Sequence, residues 1–570
     1  MAKLQFRVLY REFLFRMVDL ELLSVQGDMN KLLGQFAAVL VLVSIGQALH
    51  VVSVLDSASH MPRAELLIRA WPVEHSLVTM TMLVVGLFAV LSWDSIFPSR
   101  RDVLVLAPLP IRARTFFLAK VAASATALSV TVAALNALPG FVLPVALAPP
   151  DNGGLLNLIL SLVSLRSFAA HWITVLAAGA FVFCCVLGVQ GLAAQLLPRR
   201  RFLRVSAFLQ MAAFSLFLSL YLLEPSMTTP KALAAPENQR LLACLPSYWF
   251  LGLFQLLNGS MHPALAPPAH RALGGLAVAV FAAATAFLLS YFRTLRRIVE
   301  EPDILPGARR ASWLPRFGRP LETAVVQFSI RMLLRSRQHR VILAFYWGIG
   351  FAIVILLAKT RFAQQAPQVN VSMLVSSIVM LCVAVLGTRV VFSMPLELRA
   401  NWIFRMAPVR GGPEFLAATR RSLFVLAVIP VWAASATLFL SVWPWRSAIG
   451  HLIVLGLLAI IFADLCLLGF RKIPFTCSYL PGKSYAHMAI WAFVVLQILL
   501  SIGAEYERRA LENPAAYVAL LFILCAAACG IRWRASALAN KPESELQFDE
   551  EPAPALQGLG LRRDGILPLS

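Results

Sequence analysis

Residues 371–392 read Val371-Ser-Met-Leu-Val-Ser-Ser-Ile-Val-Met-Leu-Cys-Val-Ala-Val-Leu-Gly-Thr-Arg-Val-Val-Phe392. The stretch carries one charge, Arg389, near its end. As an α-helix it would be about 33 Å long, matching a hydrocarbon core of about 30 Å. Lipid offers the backbone no hydrogen-bond partner, so a run like this reads as a membrane-spanning helix.

Eleven further runs meet the same requirement: 32–55, 76–97, 116–138, 170–197, 205–223 and 272–292, then 341–357, 422–442, 449–470, 486–504 and 514–531. The composition agrees. Of the 570 residues 59% are hydrophobic and 14% charged, with a mean hydropathy of +0.76. A soluble domain has about 25% charged residues. The fold class expected is an all-α polytopic membrane protein with about 12 transmembrane helices.

The net charge of +22 would suggest a nucleic-acid partner in a soluble protein. Here the basic residues lie in short segments between apolar runs, so membrane orientation accounts for them and no nucleic acid is expected. With both termini cytoplasmic, the inside segments hold 39 of the 50 Lys and Arg. The N-terminus is too interrupted by charge for a signal peptide. It reads as an amphipathic surface helix with Phe6, Leu9, Phe13, Leu14 and Met17 available for lipid. The eight cysteines form no C-x-x-C pair and imply no disulfide framework.

A basic, proline-rich connector at 293–340 divides the chain into two six-helix halves, 32–292 and 341–531. Segment 1–31 precedes the first half, and a cytoplasmic tail, 532–570, expected to be disordered, follows the second. The loop between the second and third runs recurs. In the first half it reads Phe97-Pro-Ser-Arg-Arg-Asp-Val-Leu-Val-Leu-Ala-Pro108-Leu-Pro110, followed by Phe117-Leu-Ala. In the second it reads Met394-Pro-Leu-Glu-Leu-Arg-Ala-Asn-Trp-Ile-Phe-Arg-Met-Ala-Pro408, followed by Phe415-Leu-Ala. Both have a proline at the membrane boundary, a short charged amphipathic segment, Ala-Pro, and Phe-Leu-Ala leading the next run. Each half also opens on a basic amphipathic stretch, the second being Gln327-Phe-Ser-Ile-Arg-Met-Leu-Leu-Arg-Ser-Arg.

This constellation resembles the permease subunits of ABC-2 type exporters. The resemblance implies a cytoplasmic interfacial helix and a coupling helix between the second and third spans that receives the push of a separate ATPase subunit. Arg100, Arg101, Asp102, Pro108, Pro110 and Lys120 match that segment in the first half. Glu397, Arg399, Trp402, Arg405 and Pro408 match it more loosely in the second, with Ala418 near the place of Lys120. The family also carries a re-entrant hairpin before its last span. The apolar segment 241–258, broken by Pro246 and containing Trp249, is the candidate in the first half, whereas 505–513 is too short for one. What the resemblance implies is a multi-pass protein of the bacterial cytoplasmic (inner) membrane, in contact with the lipid bilayer and ABC ATPase subunits, and it leaves room for a homodimer.

Enzymatic chemistry is not expected. Leu480-Pro-Gly-Lys-Ser484 ends like a phosphate-binding loop, but Cys477 stands where its first glycine belongs and no strand precedes it. No His-Glu-x-x-His occurs, no paired carboxylates mark the outer loop at 56–74, and no cofactor or metal is implied. His171 and His451 lie near span ends, as polar caps or as relays. Asp464 is the one acid well inside an apolar run, and an intramembrane carboxylate is a functional candidate by default. A structural pairing with Arg389 or Arg471 is the preferred reading. The transporter classes that fit are an ATP-driven permease and, as the alternative, a twelve-span ion-coupled secondary transporter with coupling acids deep in the bundle. A non-transporting scaffold is the third reading.

Overall fold

The computed structural model describes residues 2–18, 29–55, 62–96, 111–147, 162–224, 227–259, 263–300, 316, 318–359, 369–394, 413–468, 470, 473–475 and 486–539. Among these every regular element is helical. Nine helices are long and apolar enough to cross a membrane, or ten if one bent pair counts as a span. The chain is a multi-pass α-helical membrane protein.

The main helices of the first half are α1 (Ala2–Val18), α2 (Met29–Leu55), α3 (Arg63–Leu91), α4 (Ala113–Leu135), α5 (Leu162–Leu196), α6 (Arg199–Leu223), α7 (Gln239–Cys244), α8 (Pro246–Asn258) and α9 (Ala266–Glu300). The second comprises α10 (Pro320–Arg335), α11 (Arg337–Lys359), α12 (Val371–Phe392), α13 (Pro413–Leu423), α14 (Ile429–Val442), α15 (Trp445–Cys466), α16 (Ala486–Glu512) and α17 (Pro514–Ala539). All twelve apolar runs fall on helices. Those at 32–55 and 205–223 appear among the described residues as shorter apolar helices, Leu40–Leu55 and Phe208–Leu223.

Several boundaries differ from expectation; α16 runs on to Glu512, and α17 continues to Ala539, into the expected tail. α3 begins at Arg63, so most of the expected outer loop at 56–74 is helix. Pro62 starts it in an extended conformation and Glu65 sits in its first turn, where the amide dipoles favour an acid. α9 continues past 292 to Glu300, into the expected connector.

The apolar cores segregate by half. Four clusters draw their fully buried residues from the first half and three from the second. α6 and α11 join them: Phe214 meets Phe345 edge-on with ring centres 4.6 Å apart. Gly348 leaves room for Phe214, whose ring a Cβ there would meet at 2.7 Å.

Each half fastens its leading amphipathic helix to the start of its third span. On α1, Leu9, Phe13 and Met17 pack with Phe116, Ala119 and Ala123 of α4, and the Tyr10 hydroxyl donates to Thr126 Oγ1 at 3.0 Å. The face expected to meet lipid therefore packs on protein, and the exposed apolar residues of α1 are Leu4 and Val8. In the second half Val325 of α10 packs with Phe415 and Ala418 of α13, while Glu322 pairs with Arg421. Burial equates Phe116 with Phe415 and Ala119 with Ala418, one residue out of step with the Phe-Leu-Ala alignment.

The third span of the second half is interrupted. Phe424–Val428 forms a π-helical turn between α13 and α14. Pro430 lacks the N–H that would bond the Leu426 carbonyl, and its ring crowds that turn, so the backbone widens there. At the start of α12 the Asn370 side chain accepts from the Ser372 N–H at 2.9 Å. Asn370→Ala is expected to cost about 1 kcal/mol, measured by thermal unfolding in detergent.

Candidate functional site

Of the residues expected at the coupling loops, Arg100, Arg101, Asp102, Pro108, Pro110, Glu397, Arg399, Trp402, Arg405 and Pro408 lie outside the described residues. The phosphate-loop look-alike at 480–484 and the tail at 540–570 do too. Lys120 is described and is 1% exposed on α4. Its Nζ stands 5.2 Å from the ring centre of Phe13 and 5.9 Å from that of Phe116, a cation held between aromatic faces where α1 meets α4.

Pro246 and Trp249 sit at a sharp break. Leu245 is extended, Pro246 opens α8, and Pro236–Cys244 meets Pro246–Asn258 at 100°. A proline cannot donate to the preceding turn and disfavours helix in the residue before it, so the chain turns here. The Trp249 indole donates to the Leu242 carbonyl at 3.0 Å, tying α7 to α8. Its ring lies over Gly275 of α9, where a Cβ would meet it at 2.9 Å. Gly259 ends α8 with φ of +89°, the left-handed conformation that favours glycine.

Around α8 the structure gathers polar groups of which the sequence singled out only His171. Glu74 on α3 and His171 on α5 are both 0% exposed, with Oε2 and Nδ1 3.3 Å apart. The next residue, His75, meets Glu224 at 3.2 Å, and Glu224 also accepts from the Ser247 hydroxyl in the first turn of α8. The Tyr248 ring stacks on His75 at 4.2 Å and its hydroxyl accepts from the Met227 N–H at 2.9 Å. At the other end of α8, Ser167 donates to Asn258 Oδ1 at 2.7 Å and Arg166 to the Leu257 carbonyl at 2.7 Å. The bent helix is thus held at both ends by polar contacts.

The second half carries a related pair. His451 on α15 approaches Glu507 on α16 at 2.6 Å through Nδ1 and Ser377 Oγ on α12 at 2.8 Å through Nε2. His171 and His451 each lie on the fourth span of their half. Further along α16, Glu505 accepts from Arg508 and Arg509, and these bonds hold its carboxyl down at about 2.

Asp464 is not alone as a buried acid: Glu74 and Glu507 are buried as well and Glu224 is half-buried, each of the three facing a histidine. The charges of Glu74 and Glu507 each end a hydropathy window, yet the helices carry on through them. Asp464 does have a cation, but a different one from those expected. Arg420 Nε on α13 lies 2.7 Å from Oδ1, and the guanidinium faces the Phe424 ring at 5.3 Å. The approach is an ion pair rather than a linear hydrogen bond, and Oδ2 has no hydrogen-bond partner among the described residues. Arg389 instead donates to the Cys466 carbonyl at 2.9 Å and lies 4.1 Å from the Phe470 ring centre. Arg471 lies outside the described residues.

Along α15, His451 lies near the start and Asp464 near the end, roughly 20 Å apart by helical rise. The His451–Glu507 pair thus lies near one end of α15 and the Arg420–Asp464 pair near the other. No group of three metal-ligating side chains occurs among the described residues. Compared with known proteins, the chain matches no family model, no curated protein and no solved structure.

Proposed function

We propose that the chain is the permease of an ATP-driven exporter of the ABC-2-like kind, with both halves on one chain and ATP hydrolysis on separate subunits. In this reading all twelve apolar runs cross the bacterial cytoplasmic membrane and both termini face the cytoplasm, as the bias of Lys and Arg requires. What supports it is the repeated bracing of the leading amphipathic helix on the third span, α1 on α4 and α10 on α13. The charged segments at 97–110 and 394–412 lead directly into those braced spans. A push on either loop would be delivered to a rigid pair of helices rather than lost in a flexible strand of chain.

Charge reversal tests this. Arg100→Glu with Arg101→Glu is expected to lower ATPase activity co-purifying with the chain from its native membrane at least tenfold, which corresponds to about 1.4 kcal/mol of binding. The amount of folded chain should not change. An unaltered ATPase yield, or none with the wild-type chain, would count against the reading.

Ion-coupled secondary transport is the second reading, favoured by one observation, the buried Glu74 and Glu507. It predicts solute movement in ATP-free vesicles driven by an imposed ion gradient.

A further inference from the structure

We infer that the first half holds a buried hydration site, in which water bonds Glu74, His171, Thr174, Gln255 and Asn258 between α3, α5 and the bent helix α8. The inference stands whichever motor drives the chain.

Register brings these groups together. Ser167, His171 and Thr174 recur at i, i+4 and i+7, so they share one face of α5. Gln255 and Asn258, three apart, share one face of α8. The two helices run antiparallel: Phe254 packs in one apolar cluster with Ala170, and Phe250 in another with Ala178. Ser167 donates to Asn258 Oδ1 at 2.7 Å, so one turn further along each helix His171 and Gln255 stand at the same level. α3 supplies the third side, with Glu74 Oε2 3.3 Å from His171 Nδ1. Glu74, His171, Thr174 and Gln255 are 0% exposed and Asn258 is 1% exposed.

The hydrogen bonds among these residues leave six buried atoms over. Glu74 Oε1, His171 Nε2, Thr174 Oγ1, Asn258 Nδ2 and both amide atoms of Gln255 have no hydrogen-bond partner among the described residues. Buried polar atoms are almost always bonded, to protein or to ordered water. One stray amide would be a flaw in packing; six such atoms on the facing sides of three helices make a site.

The chemistry of the set identifies the ligand. Gln255 alone offers two N–H donors and a carbonyl acceptor, whichever way its amide is turned. A metal ion would bond the oxygens and be repelled by the amide N–H groups beside them. An anion would take the N–H groups and leave the oxygens of Glu74 and Gln255 unserved. Water donates and accepts, so it serves every atom of the set for either tautomer of His171 and any protonation state of Glu74. At about three bonds per buried water, six atoms call for about two molecules.

The second half supplies a dry counterpart. His451 is also 0% exposed and also faces a glutamate, Glu507, 2.6 Å from its Nδ1. Its Nε2 lies 2.8 Å from Ser377 Oγ, so protein engages both ring nitrogens.

Hydroxyl-radical footprinting of the full-length chain in liposomes reads this contrast, because radicals generated by X-rays from bound water oxidise the side chain beside it. His171 is expected to be oxidised severalfold faster than His451, an equally buried side chain of the same intrinsic reactivity. Equal rates, or a slower His171, overturn the site. Gln255→Met removes the amide and keeps a side chain of similar length. It is expected to lower the thermal unfolding midpoint in detergent and to slow oxidation of His171. An amide bonded to nothing would be relieved by this change, so a midpoint that holds or rises overturns the proposal. Exchanging choline chloride for sodium chloride at the same concentration is expected to leave the midpoint of the unaltered chain in place. A rise in sodium that Glu74→Gln abolishes would overturn the hydration site in favour of a cation.

Discussion

Arg420→Ala is expected to destabilise the folded chain by about 3–5 kcal/mol, because it strips the counter-ion from a buried carboxylate. The Asp464 side chain is 6% exposed and that of Arg420 16%, so solvent screens the pair little. Breaking such a pair costs far more than its formation gained, since the surviving charge keeps its desolvation penalty. Replacing both partners by apolar residues of similar volume, Arg420→Met with Asp464→Leu, should therefore recover most of the loss. Thermal unfolding of the two single variants and the double variant in detergent gives the coupling directly. A double variant no more stable than Arg420→Ala would show that the pair is not the source of the penalty. Asp464→Asn should lower the folded yield and leave transport intact if the role is structural.

Gly252→Leu is the second large effect, about 3 kcal/mol or more, at the upper end of what overpacking costs. A Cβ at this position of α8 would meet the Ala269 backbone nitrogen at 2.8 Å, Pro268 Cβ at 2.8 Å and the Leu265 carbonyl oxygen at 2.9 Å. Two of the three are backbone atoms, which have no rotamer to give, so α8 must lift off the start of α9. That movement would pull at Ser247, Tyr248 and Asn258, which tie α8 to the histidine–carboxylate cluster. Limited proteolysis within 225–265 should quicken together with the loss of thermal stability. Gly274→Leu is the control. A Cβ there meets nothing within 4 Å, and the change is expected to stay within about 0.5 kcal/mol. Equal effects from the two substitutions would mean that close approach is not what Gly252 provides.

The helices were legible in the sequence because lipid makes an uncompromising demand for length and apolarity. The run 371–392 is a helix over the same residues, Val371–Phe392. The acids were harder. Asp464 stands among leucines and alanines and announces itself, but its partner Arg420 lies forty-four positions earlier on another helix, and only the packing of α13 near α15 identifies it. Glu74 and Glu507 fall at the edges of apolar runs, where hydropathy cannot tell a helix that ends from one that continues under cover of a neighbour. Glu224 lies just beyond α6 and is half-covered where Ser247 at the start of α8 reaches it. Pro246 did mark a break within an apolar segment. The hydrogen bonds at both ends of α8 depend on which helices surround it, and no local pattern encodes that.

The seating of α1 on α4 also sets an order of events during synthesis. Phe13 leaves the ribosome about a hundred residues ahead of Phe116, the ring it packs against at 5.0 Å. At ~5–20 residues per second, α1 waits roughly 5–20 s for its binding surface to exist. Throughout that interval Leu9, Phe13 and Met17 have no protein to cover them, and the membrane surface is the natural place for them to wait. The nascent chain would then carry α1 as a temporary lipid-bound helix, handed from bilayer to protein when α4 arrives.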